Sequence, residues 1–357
     1  MPYFNSILLT LARESRELSQ SDLSVLTGVP QTLISRFEGG IAQPSEEQAS
    51  RLADALHYPV DLLYQEDRIY GFNASVFFHR KRVDMPAKIL RRIHAVLNLT
   101  RIRIDRLLLA GDISPAFELM RMSVEECGSP EEIAHRMRAL LHIPMGPIAN
   151  LTAAVEDAGV IIALHKFGSS RTDAVSEWVP GHKPTILMNS DESIGGDRYR
   201  WTLAHELGHL IMHRMPTDNM EDEANRFASE FLMPANEIKH QLRNVRLATL
   251  AALKSVWRVS MAALLERAKQ LRTITSSQYR YMRINLGKLG YLQREPAELD
   301  ISMEKPTLIN ALVTAHIREL QFGVSELARL LHMKEEECVE LYVPDLARTG
   351  LRLVKMA

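Results

Sequence analysis

Over most of the chain, apolar positions recur every three to four residues, the period of an amphipathic helix. Residues 4–63 hold five short helices. The first carries Ile7, Leu8 and Leu11 on one stripe. The second runs from Gln20 to Leu26. It follows Ser19 as N-cap, turns Leu23 and Leu26 inward, and stops at Gly28. Pro30 opens the third, which buries Ile34 and Phe37 and ends at Gly39-Gly40. Ser45 caps a fourth with Leu52, Ala53 and Leu56 at helical spacing, and VDLLY (60–64) is a short fifth. FNASVFF (72–78) reads as an extended connector. Two helical stretches follow, one with Ile89, Ile93, Val96 and Leu97, the other through IRIDRLLLAG (102–111). SPEE (129–132) starts a further helix in capping-box form, with Ile133, Met137 and Leu140 on its face.

The period then changes. VIIALH (160–165), AVSEWV (174–179) and PTILMN (184–189) are short β-type runs separated by turn residues, and together they predict a small three-stranded sheet. Helical spacing returns from Arg198. SVWRVSMAALLERAKQL (255–271) and QYRYMRINLGKLG (278–290) are helical, and residues 306–333 form a compact C-terminal helical unit. The fold class is therefore mainly α with a small β-sheet, an α+β chain. The expected domains are 1–66, a helical connector 67–124, a central domain 125–275 and a C-terminal helical domain 276–357.

Composition narrows the function classes. The chain has 357 residues, 46% hydrophobic and 24% charged, with a formal net charge of −1. Such a chain is globular, and whole-protein charge does not announce a nucleic-acid binder. The two cysteines, Cys127 and Cys338, are far apart and lack metal-ligand spacing, so no disulfide framework is expected. No stretch approaches ~20 uninterrupted apolar residues and no signal peptide is read, which points to a cytoplasmic protein with no membrane partner.

Two short helices joined by a Gly-containing turn make a helix-turn-helix pattern. LTGVP (26–30) at the turn, ISRFEGG (34–40) and LADALHYPVDLL (52–63) resemble the Xre/Cro-type repressor domain. That resemblance implies that Gln31, Thr32, Ser35 and Arg36 face the major groove of DNA, with Gln20 near phosphate. Local charge is less favourable. Residues 1–63 carry four basic and eight acidic residues, whereas the segment from His79 to Arg106 carries nine basic and two acidic. The basic segment is read either as a solvated face, as a phosphate-contacting flank, or as a clamp onto an acidic part of the same chain.

WTLAHELGHLIMH (201–213) carries the chemistry. Positions i and i+4 share a helix face, so His205 and His209 can point two imidazoles at one ion. Glu206 lies beside the first. A catalytic zinc site needs three protein ligands and an open position; the metal lowers the pKa of bound water toward ~7, and an adjacent carboxylate takes its proton. Downstream, in NMEDEANRFASEFLMP (219–234), Glu221 can complete a His2Glu set. Asn225, one turn on, can hydrogen-bond a ligand histidine. Glu223 competes for the third place but points about 200° away from Glu221 on the helix. His213 lies about 12 Å along the axis from His205, too far to share its ion. It is expected to be a C-terminal residue whose charge interacts favourably with the helix dipole.

GDRYRWTLAHELGHLIMH (196–213), EDEANRFASEFLMP (221–234) and PTILMN closely resemble the ImmA/IrrE metallopeptidases, over about residues 125–275. The resemblance implies a gluzincin-like zinc fold with a three-stranded sheet, one Zn2+ per chain on His205, His209 and Glu221, and Glu206 as general base. It further implies a cytoplasmic regulator, acting in stress response or mobile-element control, that cuts a repressor. Tyr199, His165 and His182 are considered as oxyanion stabilisers. DNA, through residues 1–66, and a second copy of the chain are the other expected partners. The alternative is a DNA-binding regulator whose zinc domain senses or scaffolds without cleaving.

Overall fold

The computed structural model describes residues 3–67, 86–109, 117–168 and 172–343. The connector read at 72–78, with Lys81 and Arg82, lies outside them. The described residues divide into two compact units. One comprises 3–67, 86–109 and 307–343; the other comprises 117–168 and 172–306.

The first unit opens with α1 (Ser6–Ser15), α2 (Gln20–Thr27), α3 (Gln31–Glu38) and α4 (Glu46–Ala55), then a 3-10 turn at Val60–Tyr64. Ser19 and Ser45, read as caps, form full capping boxes with Asp22 and Gln48, and Gly28 ends α2 in the left-handed region at φ 69°; Asn5, which the sequence reading did not mark, caps α1. Leu23, Ile34, Phe37, Leu52 and Leu56 close the core. Leu26 is instead 60% exposed, and Ile7 also faces out. In an eight-residue helix one stripe suffices, and Leu23 with Thr27 fills it.

α5 (Ala87–Leu109) is one unbroken helix of 23 residues where two were expected. It is the hub of this unit rather than a connector. Leu8 and Leu11 of α1 pack on its Ala95 and Ile102, and its Leu107 packs with Leu312, Val313, Leu327 and Leu331 of the C-terminal helices. Its basic residues face acids of the N-terminal segment, the clamp reading of the sequence. Arg92 Nη1 lies 2.5 Å from Glu17, Arg91 lies 3.8 Å from Glu14, and Arg106 pairs with Asp67. Partly exposed pairs contribute only ~0–1 kcal/mol each, whereas each buried leucine contributes ~1.5–3 kcal/mol, so apolar packing holds the helices and charge selects their partners.

The second unit contains α6 (Val124–Cys127), α7 (Pro130–Leu140) and α8 (Leu151–Asp157), followed by β1 (Ile161–His165), β2 (Ala174–Glu177) and β3 (Thr185–Asn189). The sheet order is β1-β3-β2. β1 runs parallel to β3 with Ile161 opposite Thr185, and β2 runs antiparallel with Ala174 opposite Met188. Then come α9 (Gly196–Met212), α10 (Met220–Leu232), α11 (Ala235–Ile238), α12 (Leu247–Trp257), α13 (Met261–Gln270) and α14 (Ser276–Lys288). The helix read across 255–271 is broken. Arg258 is left-handed at φ 56°, and α12 and α13 meet at 102°. α14 packs Met282 and Leu286 into this unit's core, so residues 276–306 belong here and not with the C-terminal helices.

The chain returns to the first unit as α15 (Leu308–Arg318), α16 (Val324–Leu330) and α17 (Glu335–Tyr342). Arg16 of α1 reaches Glu337 at 2.7 Å and stacks over Tyr58 at 4.4 Å. Among the described residues no single helix is long and apolar enough to cross a membrane.

His332 gives this unit a pH dependence. Burial, and then the charge of Arg106, push its pKa down to about 4 against the opposing pull of Asp61. The unfolded chain therefore binds the proton first, and stability is lost as pH falls from the ordinary value of 6.5 through about 4. Hydrogen exchange of α16, corrected for its intrinsic pH dependence, should show protection falling across that window. His332→Asn, which tolerates the local φ of 45°, should flatten the fall; an unchanged slope would assign the titration to another group.

Candidate functional site

α9 is held at both ends. At its start the Gly196 N–H donates to the Ile301 carbonyl at 3.1 Å, and a Cβ at 196 would collide with that carbonyl. Arg200, fully buried, pairs with Glu304, which also accepts from the Thr152 N–H and hydroxyl at 2.7 and 2.9 Å. At its end, Met122 N–H donates to the Ile211 carbonyl. Leu203, Leu207 and Leu210 face the core, and this stripe sets the rotation of the helix. The opposite stripe then presents His205 and His209 to α10.

α10 comes unusually close. A Cβ at Gly208 would lie 3.0 Å from the Phe227 ring and 3.5 Å from the Ala224 Cα. That approach brings Glu221, in the first turn of α10, to both histidines. His205 Nε2 and His209 Nε2 are 2.9 Å apart. Glu221 lies 3.3 Å from His209 Nε2 and 3.7 Å from His205 Nε2. Ligands around a tetrahedral zinc, with bonds of ~2.0–2.2 Å, are separated by about 3.4 Å, so the triangle fits one such ion. The hydrogen bonds support the same donor set. His205 Nδ1 lies 3.2 Å from the Asn225 Oδ1 acceptor and therefore carries the proton. His209 Nδ1 lies 3.0 Å from His213 Nδ1, and His213 Nε2 lies 2.9 Å from Glu223. A carboxylate at the end of that chain fixes the tautomers: His213 Nε2–H donates to Glu223, and His209 Nδ1–H donates to His213. Both Nε2 lone pairs then face each other and a carboxylate, an arrangement that repels itself without a cation.

Glu223 is thus turned away from the triangle and bonded to His213. His213 caps α9 as expected but carries no charge for the dipole. Burial, with the neighbouring His209, pushes its pKa down to about 4 despite Glu223. Glu206 is buried, and Ser176 of β2 donates its hydroxyl to the Glu206 carboxylate at 2.6 Å. Ser176 was not singled out in the sequence; only the pairing of β2 with β3 places it beside α9. Of the three residues considered as oxyanion stabilisers, Tyr199 is excluded: its hydroxyl is buried against Thr152, and burial drives its pKa up. His165 ends β1, across the sheet from β2. His182 follows β2 in a turn, its N–H donating to the Val179 carbonyl.

In the first unit, Gln31, Thr32, Ser35 and Arg36 lie exposed on α3. Gln31 donates to Gln20 at 2.8 Å, and Gln20 donates to Glu38, which also holds Arg13 at 2.6 Å. The two glutamines are therefore fixed relative to each other.

Residues 155–269 match the peptidase family described as the IrrE N-terminal-like domain, and residues 9–63 match a helix-turn-helix family. The chain joins a helix-turn-helix domain to an IrrE-like domain. A search of characterised proteins gives no match. The triangle of His205, His209 and Glu221, and the Glu206 beside it, all fall inside the IrrE-like span.

Glu221→Ala in this IrrE-like domain should lower zinc affinity more than Glu223→Ala. Loss of an outer partner such as Glu223 typically costs ~10–100-fold. Metal analysis after mild chelation ranks the two variants, and the reverse order would move the third ligand to Glu223.

Proposed function

We propose that the IrrE-like unit is a zinc-dependent endopeptidase that acts in the cytoplasm on a protein. A transcriptional repressor suits a peptidase carried to DNA by its own helix-turn-helix domain. The observation that carries the reading is the convergence of two imidazole lone pairs and a carboxylate beside a buried Glu206. A site that only held the fold together would need four ligands and no such carboxylate.

Zinc, bound by His205, His209 and Glu221, would supply Lewis-acid activation of water and of the scissile carbonyl. Glu206 takes the proton of the attacking water and returns it to the leaving amine. Ser176 holds the Glu206 carboxylate in place through its hydroxyl. Asn225 holds His205, and the His213–Glu223 pair holds His209, so both rings keep Nε2 toward the ion. Gln31, Thr32, Ser35 and Arg36 would read base edges, with Gln20 bracing Gln31.

Glu206→Gln should keep about one zinc per chain yet lose roughly 100- to 10,000-fold in cleavage rate, the range for a general acid–base group. The assay is zinc-loaded chain with a candidate helix-turn-helix repressor, read for a discrete cut. Parent-like cutting would remove Glu206 from the proton path.

Gln31→Ala with Arg36→Ala should relax sequence preference on duplex DNA, with each lost base contact costing ~1–3 kcal/mol. Competition between specific and random duplexes measures it. Parent protein that binds neither duplex at low salt would assign the helix-turn-helix domain to protein docking.

A further inference from the structure

Between α12 and α14 the IrrE-like unit carries an open groove of about 510 Å³. One stripe of α14 forms one wall, with Gln278, Tyr281, Met282 and Leu289. The segment entering α12, with Val245 and Leu247, forms the other. Tyr281 is 65% exposed and Leu289 49%, so an apolar floor is left open to solvent. Arg246 and Lys288 stand on the rim. Arg243, Arg280 and Arg283 lie exposed on the same two segments, and none of these five enters an ion pair among the described residues. From Lys239 to Arg294 the chain holds twelve lysines and arginines against one acid, Glu266. The imbalance is local, because the whole chain is near neutral.

Two features together choose the occupant. Free cations alone would suit phosphate. The floor between them is mostly aliphatic, with Tyr281 its one ring, and gives phosphate nothing and bases little to stack on. The α12–α13 pair, though it meets at a helix-turn-helix angle, offers no reading helix, since only Lys269 and Gln270 of α13 are exposed. A helix-in-groove mode uses both features, with apolar anchors on the floor and carboxylates at the rim. We propose that this groove docks an acidic amphipathic helix of the protein substrate, with its carboxylates on Arg246 and Lys288 and its apolar side chains against Tyr281 and Leu289. The inference rests on the reading that this unit acts on a protein, and assigns recognition of that protein to residues other than the cleaving ones.

The test is fluorescence anisotropy with the full chain and two labelled helical peptides. Both carry leucines at helical spacing; one fills the flanking positions with glutamate, the other with lysine. The glutamate peptide should bind, and more weakly as salt rises. Arg246→Glu with Lys288→Glu should weaken it about tenfold or more and shift preference to the lysine peptide. Tyr281→Ala should weaken both peptides without changing zinc content. Equal binding of the two peptides, no binding of the glutamate peptide, or indifference to these exposed-site variants would overturn the proposal. So would duplex DNA that displaces the glutamate peptide and is itself lost in Arg246→Glu with Lys288→Glu, an outcome that assigns the groove to nucleic acid. Binding does not require cleavage, so a failed peptidase reading leaves this result interpretable. Normal repressor cutting by the charge-reversed variant, with unchanged KM, would remove the groove alone.

Discussion

The triangle of His205, His209 and Glu221 depends on how closely two helices approach at Gly208. A side chain there would press on Phe227 and hold α10 away. Glu221 sits one to two turns before Phe227 on the same helix, so its distance to the histidines follows that contact. The glycine is thus a distance constraint, written into the same five residues that carry His205, Glu206 and His209. The leucine stripe on the far side of α9 turns those residues toward α10. Burial of that stripe, at ~1.5–3 kcal/mol for each leucine, offsets the cost of burying Glu206 and His209 with their polar partners.

The remaining polar groups around the centre have one task, which is to fix protons. Asn225 and the pair His213–Glu223 determine which nitrogen of each ring is bare. Ser176 determines where the Glu206 carboxylate sits. Each acts across a different element pair: α9–α10 for the rings and α9–β2 for the carboxylate. The sheet reaches the site through β2, whose Ser176 hydroxyl donates to Glu206. The strap at 301–304 contributes by anchoring the start of α9 through Gly196 and Arg200.

Short-range signals in the sequence were reliable. Caps at Ser19, Ser45 and Ser129, the stop at Gly28, the three strands and the i,i+4 histidines all follow from local rules, and the structure has them. Helical phase separates Glu221 from Glu223, and Asn225 one turn on favours Glu221; in the structure Glu221 lies beside His209 and Glu223 beside His213. Long-range facts were not legible. A periodic pattern shows that α5 and α14 each bury a face but not what covers it, so it does not reveal that α5 packs on both α1 and the C-terminal helices or that α14 joins the second unit's core. Likewise His213 sits at a helix end, where a charge is usually favourable. Its burial and the neighbouring His209 reverse that expectation, against the pull of Glu223 ten residues on. Ser176 had no local signal at all.

The most direct test of the account is a crystal structure of the zinc-loaded chain, with anomalous difference maps collected on both sides of the zinc edge. The account predicts one peak per chain, bonded to His205 Nε2, His209 Nε2 and a Glu221 oxygen, with Glu206 near but not bonded to it. A peak held by His213 or Glu223, or no peak at the triangle under saturating zinc, would contradict it.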